Sequence, residues 1–266
     1  DGTVRFIFQP AEEWGKGALA MLDDGLMERF PFDEIFGIHN MPGYDVGVFR
    51  TKPGAFMSAE DNFEIVLKGA GGHASRPHWT REVLVAACAT VMNLQTIVAR
   101  RLNPSDIAVV SVTELVTDGI RNAPPGTARI LGDTRSFRPE VSAEIEKQLR
   151  VIAGGTAETY NLNVEVTYTR EFVPTVNDEH LAEEALASAT ELFGADNAKM
   201  LDQPGGGSED FARFLEHVPG CFVNLGNGRE SKPLHNPDYD FNDDGLIHGA
   251  RLHAAIARRR LPLREA

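Results

Sequence analysis

Long apolar runs are missing from this 266-residue chain. No stretch approaches the roughly 18 consecutive apolar residues that a bilayer-spanning helix needs, which excludes such a span. Positive charge is also in deficit. Lys and Arg number 26 against 39 Asp and Glu, and the formal net charge of −13 gives a field that repels phosphate backbones and anionic membranes. Neither nucleic acid nor a membrane is an expected partner. Cysteine is scarce: Cys88 and Cys221 stand alone, with no C-x-x-C spacing. Each sits in an apolar run, VAACATV or GCFVNLG, which predicts two buried, reduced thiols and a cytoplasmic setting. Internal repeats are absent, and the basic stretch RLHAAIARRRLPLR is the one biased tract. The first residues show no targeting segment, and the chain opens directly on a strand-like run, so further sequence is expected upstream.

What is present is a chain with material for a core, 42% hydrophobic and 24% charged, long enough for one or two domains. Residues 4–8 read as a strand and 15–28 as an amphipathic helix with Ala18, Met21, Leu22, Leu26 and Met27 on one face. A short strand at 34–38 ends at His39. From 59 to 171 the pattern changes to β-α-β-β-α-β, the split βαβ or ferredoxin-like order, with helices at 82–101 and 142–160. Its strands alternate apolar and polar residues, as in a sheet with one covered face. Beyond 174 come a helix at 178–193, a glycine loop at 205–207, a helix at 209–217, the strand CFVNLG and a final helix at 245–260. The fold class is α/β, with a split mixed-sheet domain and the ferredoxin-like unit inserted in it.

Several residues could carry chemistry. Glu12 and Glu13 follow the first strand, where adjacent side chains diverge, so that one could bind a metal while the other moves a proton. A solvated acidic helix start would look the same. His39 after its strand and His235 in a loop could each be a ligand or an ordinary structural histidine. GAGGHASRPH presents His73 on a glycine turn but matches no phosphate-cradling motif. In GGGSEDF, capping alone accounts for Ser208, Glu209 and Asp210, and the segment is not the G-x-S-x-G elbow of a serine hydrolase.

Taken in order, FIFQPAEE, FGIHNMPG, KGAGGHASRPH, QTIVARRLNP, AVVSVT, PTVND, GGGSEDFA and PLHNPDYDFND resemble the amidohydrolase branch of the M20 metallopeptidase family, which includes hippurate hydrolases, aminoacylases and indole-acetyl-amino-acid hydrolases. The resemblance runs from Gly2 to about Ala257. It implies a metal-binding catalytic domain at 1–58 and 172–266, and an inserted lid at 59–171 that makes a homodimer. It implies Glu12 as the general base, Glu13, His39 and His235 as metal ligands, and His73 as the lid histidine that stabilises an oxyanion in a partner subunit's site. Asn122 would join that contact, Arg135 would meet a substrate carboxylate, and Gly206 and Gly207 would line the substrate loop. The implied reaction is hydrolysis of an N-acyl amino acid by water activated on a divalent metal, with Zn, Mn, Co and Ni all suited to such ligands.

The family's remaining ligands, a bridging cysteine and a histidine in a His-x-Cys-Gly-His-Asp type segment, precede QPAEE, and nothing like that segment occurs here. Neither Cys88 nor Cys221 stands in a matching context. The chain therefore reads as the C-terminal two-thirds of such an enzyme. The resemblance implies two cations, of which this chain would hold one, on Glu13, His39 and His235, or none, with activity then depending on a missing N-terminal segment or a partner chain. The alternatives are a non-catalytic binding or dimerisation module and, within the enzyme class, a dipeptidase.

Overall fold

A computed structural model of the chain describes residues 2–261. These fall into two compact units, one of Ser58–Pro174 and one built from the chain on either side of it. In chain order the elements are α1 (Gly17–Asp23), α2 (Leu26–Arg29), β1 (Ile35–Pro42), β2 (Phe49–Thr51) and β3 (Gly54–Met57), then β4 (Ala59–Lys68), α3 (Val83–Leu94), β5 (Ala108–Thr117), β6 (Thr127–Ser136), α4 (Pro139–Thr159) and β7 (Asn163–Phe172), and finally β8 (Thr175–Asn177), α5 (Glu179–Phe193), β9 (Ala198–Met200), α6 (Ala212–Leu215), β10 (Gly220–Gly228) and α7 (Asp244–Arg260).

The split unit is built on a mixed sheet in the order β1-β10-β2-β9. Strand β1 runs parallel to β10, β10 antiparallel to β2, and β2 parallel to β9. Strand β10 is buried along almost its whole length, as a strand covered on both faces must be. Its odd residues Cys221, Val223 and Leu225 pack with Leu181, Ala185, Leu252 and Ile256 from α5 and α7. On the opposite face Phe222 packs with Ala18, Ile35, Phe56, Phe211 and Phe214. Helix α5 starts where Asp178 accepts a hydrogen bond from the Leu181 N–H at 2.9 Å, an ordinary N-cap.

The unit Ser58–Pro174 has sheet order β5-β6-β4-β7, all neighbours antiparallel. With α3 and α4 between the strands in sequence, this is the arrangement of a split βαβ unit. One face of β4 (Phe63, Ile65, Leu67) joins Ala86, Leu94, Ile145 and Leu149 of the helices in a single core. Within that core Asp61 is 2% exposed, and its carboxylate accepts from Ser142 Oγ at 2.5 Å and Tyr168 Oη at 2.8 Å. Burial pushes the Tyr168 phenol upward, so it stays a neutral donor.

Several elements differ from expectation. Residues 4–8 form no strand, because no described strand pairs with them. Of these residues Ile7 packs inward, while Val4, Phe6 and Phe8 are exposed. The helix expected at 15–28 breaks at Gly25, whose φ of 82° is left-handed. Strand β1 runs past His39 to Pro42, because the β10 ladder continues beside it. Helix α3 stops at Leu94, where Thr96 Oγ1 bonds the Asn93 carbonyl at 2.6 Å, and a wider π turn follows at Ile97–Arg101. Only Ala212–Leu215 of the helix expected at 209–217 is helical. Cys221 is buried, and burial pushes its thiol up to about 12. Cys88 is exposed, contrary to expectation. The core stripe of α3 is Val83, Ala86, Ala87, Thr90 and Leu94, and Cys88 lies off it.

Replacing Asp61 with Ala strands the buried Ser142 hydroxyl and leaves Tyr168 only its bond with Thr134, and should lower stability by about 2 kcal/mol in urea unfolding. An unchanged midpoint would dismiss this network as a stabilising feature.

Candidate active site

Glu12 and Glu13 lie in a tight 3-10 turn, Glu12–Trp14, between Ala11 (φ 47°) and Gly15 (φ 60°). Ala11 is left-handed without being glycine, and such backbone strain gathers at functional sites. The turn is pressed against α1: a Cβ at Gly17 would stand 1.5 Å from the Pro10 carbonyl oxygen, so glycine is required there. The two glutamates point apart. Glu12 turns to a part-buried patch where its carboxylate, that of Glu209 and that of Asp210 offer oxygens within 4.8 Å of one another. Glu13 stays exposed, with Oε2 3.6 Å from His235 Nδ1.

Three carboxylates crowd together because N–H groups hold them. Asp210 accepts from the N–H groups of Gly17 and Ala18, the latter at 2.8 Å, and so caps α1 from a distant part of the chain. Gln9 donates from Nε2 to Glu209 at 3.1 Å and also to Asp210. The Phe211 N–H bonds Glu209 at 3.1 Å, and the Asp210 main-chain N–H bonds the Glu12 carboxylate. Burial first, then the charges of Glu209, Glu13 and Asp210, raise the Glu12 carboxyl to about 7. Burial likewise pushes Glu209 and Asp210 above the ordinary carboxylate range, with the His39 imidazole easing Glu209.

His39 stands inside β1, and its Nδ1 lies 2.5 Å from the Asn40 carbonyl oxygen. A carbonyl only accepts, so Nδ1 carries the hydrogen and Nε2 keeps a free lone pair. Asn40 Nδ2 also donates to Tyr239, tying this strand end to the loop that carries His235. That loop is pinned by Asn227, 2% exposed at the end of β10, which donates to the Asp240 carbonyl at 2.9 Å and accepts from the Asn242 N–H at 2.9 Å. His235 itself has a left-handed φ of 62°.

In the unit Ser58–Pro174, His73 Nδ1 accepts from the Ser75 N–H at 3.1 Å, which leaves Nε2–H as an outward donor. The Ala74 N–H donates to the Asn122 carbonyl at 3.0 Å, so the structure joins the His73 and Asn122 loops. Arg135 is three-quarters buried and ion-paired to Glu60 at 2.7 Å and Asp133 at 2.9 Å. Gly206 and Gly207 lie in the loop that begins with the Gly205 N–H bonded to the Phe56 carbonyl at 2.8 Å.

Among the described residues Glu13 meets His235, and His39 lies near Glu209, but Glu13, His39 and His235 do not converge as one tight set. Glu13 and His235 both sit on loops, 69% and 71% exposed. The donor chemistry nevertheless suits a divalent cation: a free imidazole lone pair, an exposed carboxylate–imidazole pair and a neighbouring excess of negative charge. Glu209, Asp210, Gln9 and Asn227 were not singled out for the site by the sequence. The one available signal was an acid pair one residue after a glycine run, and capping explained it. Asp210 does cap a helix, but that helix is α1 rather than the one following it.

An α/β scaffold with helices on both faces of its sheet carries crowded carboxylates and, near them, imidazoles, groups of the kind that can hold a divalent cation. Comparison with known proteins agrees. The profile of Peptidase family M20/M25/M40 matches residues 1–259, and the chain belongs to that family. It is 35% identical over 257 residues to N-acetylcysteine deacetylase of Bacillus subtilis, covering 96% of this chain and 66% of that protein. It is 34% identical over 261 residues to hippurate hydrolase of Campylobacter jejuni, covering 98% and 68%. The chain thus spans about two-thirds of the length of these curated relatives. Among solved structures, the Bacillus subtilis YXEP protein, a dinuclear metal-binding peptidase of the M20 family, aligns with a TM-score of 0.80 at 29% identity, covering 96% of this chain and 64% of that one.

A carboxyl raised in the folded state adds stability that is complete below its unfolded value of 4.5 and lost as pH rises through about 7. The cation-free protein should therefore weaken across that window. Glu12→Gln should restore about 1 kcal/mol at pH 8, a figure reduced for the half of the group that meets solvent. Urea melts at pH 5 and pH 8 measure this, and identical pH slopes for both proteins would contradict it.

Proposed function

We propose that this chain carries the active centre of a metal-dependent amidohydrolase that cleaves N-acyl amino acids. The observation that carries the reading is Glu12, a carboxylate raised to about 7 and oriented by the Asp210 N–H. Such a group takes a proton from water and returns it to a leaving nitrogen near neutral pH. Glu13, His39 and His235 would hold the cation, with Zn, Mn, Co and Ni all compatible. When bound, the cation polarises the scissile carbonyl and acidifies water. His73, with Nε2–H outward, and the Asn122 side chain would donate to the oxygen that gains charge in a partner subunit's site. Gly206 and Gly207 would line the substrate loop. The names of two relatives, a deacetylase of N-acetylcysteine and a hydrolase of hippurate, support this substrate class.

The unit Ser58–Pro174 would serve as a lid that pairs two copies of the chain. Edge strand β5 exposes Val109, Leu115 and Val116, and α3 exposes Leu84, Val85 and Met92. An apolar edge of this length is a template for a second copy. Two unpaired cysteines fit a reducing, cytoplasmic setting. No described helix is long and apolar enough to cross a membrane.

With Zn or Mn supplied, the chain should hydrolyse hippurate and N-acetyl amino acids faster than dipeptides, and Glu12→Gln should lower kcat about a thousandfold. His235→Ala should reduce cation uptake measured by elemental analysis. Uptake without turnover would favour a binding module, and neither uptake nor turnover would end the reading. Sedimentation equilibrium should give a dimer that Met92→Lys combined with Val116→Lys converts to a monomer.

A further inference from the structure

Three features that weaken or interrupt a helix meet at one groove of the unit Ser58–Pro174. Between α3 and α4 lies an opening of about 480 Å³, with the buried Ile152 and Thr156 as its floor and Ala89, Val151 and Gly155 along its sides. Arg101 stands at one end, where its Nη1 donates to Gln148 Oε1 at 2.6 Å, and Tyr160 stands at the other. From Gln148 to Tyr160 the chain rises about 18 Å along α4, room for a small elongated molecule.

Glycine weakens a helix interior, yet α4 carries Gly154 and Gly155 side by side. A Cβ at Gly155 would meet nothing within 4 Å, so the chain's own packing does not require glycine there, and a side chain would stand in the groove. A helix glycine without an internal packing reason points to a neighbour from outside. The third feature is the π turn Ile97–Arg101, a rare geometry that gathers at functional sites, and it delivers Arg101 to the end of the groove. Arg101 gives one N–H to Gln148 and has no carboxylate partner among the described residues. Glu144, one turn earlier on α4, is held by Lys147 and Gln148 instead. Thr96 and Thr159 also line the groove, but their hydroxyls donate to the carbonyls of Asn93 at 2.6 Å and Gly155 at 2.8 Å. With those donors used on the backbone, the stretch between the two ends is largely apolar, and Asn93 adds a side-chain amide at the exposed rim.

We infer that this groove binds a small amphiphile, a monocarboxylate with a medium-length alkyl chain, its carboxylate on the Arg101 guanidinium and its chain over Ile152 between Ala89 and Gly155. Charge sets the head group, because a guanidinium with N–H groups to spare takes a carboxylate in a two-pronged hydrogen bond. The lining sets the rest, because the bare backbone at Gly155 lets an alkyl chain lie close against α4. The site lies wholly within one unit and uses none of the residues assigned to the active centre, so it stands apart from the hydrolase reading.

The test titrates octanoate and octanamide into the whole cation-free chain and follows the backbone amide resonances by NMR. Octanoate should shift the resonances of Arg101, Ile152 and Gly155 with a Kd of about 0.1–1 mM, the range that so few atoms support, and octanamide should bind about tenfold more weakly. Arg101→Met should bring octanoate down to the octanamide value. Gly155→Leu fills the groove, and should remove binding of both while raising the melting temperature by about 3 °C. Gly154→Leu, beside it but off the lining, should give a similar rise and keep octanoate binding, which separates filling the groove from strengthening the helix. A wild-type chain that ignores octanoate, or shifts centred on another part of the molecule, would overturn the assignment. So would wild-type affinity in Arg101→Met or Gly155→Leu, or equal loss in the two glycine variants.

Discussion

Like charge held together against its own repulsion is the constraint on which the rest of this protein depends. Glu12, Glu209 and Asp210 bring carboxylate oxygens within 4.8 Å on a part-buried patch. Such a cluster persists only where N–H groups are supplied and part of the charge is given up as bound protons. Both occur here. The first N–H groups of α1 meet Asp210, Gln9 spans two carboxylates, and the Asp210 main chain meets Glu12. One aspartate therefore joins the start of α1, the glycine loop and the turn that carries the glutamates.

The architecture explains why these parts meet. Strand β10 is buried on both faces, so α5 and α7 cover one side while α1 and the segment around Phe211 cover the other. The second side also carries His39, and there the apolar packing ends and polar side chains begin. The requirement for glycine at position 17, where the Pro10 carbonyl leaves no room for a Cβ, keeps the glutamate turn against α1. Crowded acid and a histidine with an open lone pair are consequences of how three layers close around one strand pair.

Much of this was legible in the sequence, element by element. The β-α-β-β-α-β order needed only alternation and helical spacing, and its sheet has the order such a unit requires. The helix expected at 178–193 is α5, and the structure shows Asp178 as its cap. The errors share one cause, which is that local pattern does not report partners. Residues 4–8 are apolar enough to read as a strand, but a strand exists only where another pairs with it. Cys88 sits in an apolar run, but burial depends on which side of α3 meets the core. Glu209 and Asp210 read as caps, and the helix that Asp210 caps lies almost 200 residues earlier in the chain.

By itself the sequence determined the fold class, the family and the identities of Glu12, Glu13, His39 and His235 as candidates, because motif, spacing and periodicity are local and survive in one dimension. Tertiary structure alone decided their environments. It turned Glu12 inward and left Glu13 at the surface, opened Nε2 of His39 by tying Nδ1 to Asn40, and closed Arg135 with two carboxylates. Charge state and hydrogen-bond vacancy are properties of what surrounds a group. For these residues the surroundings come from strands, helices and loops far apart in the chain.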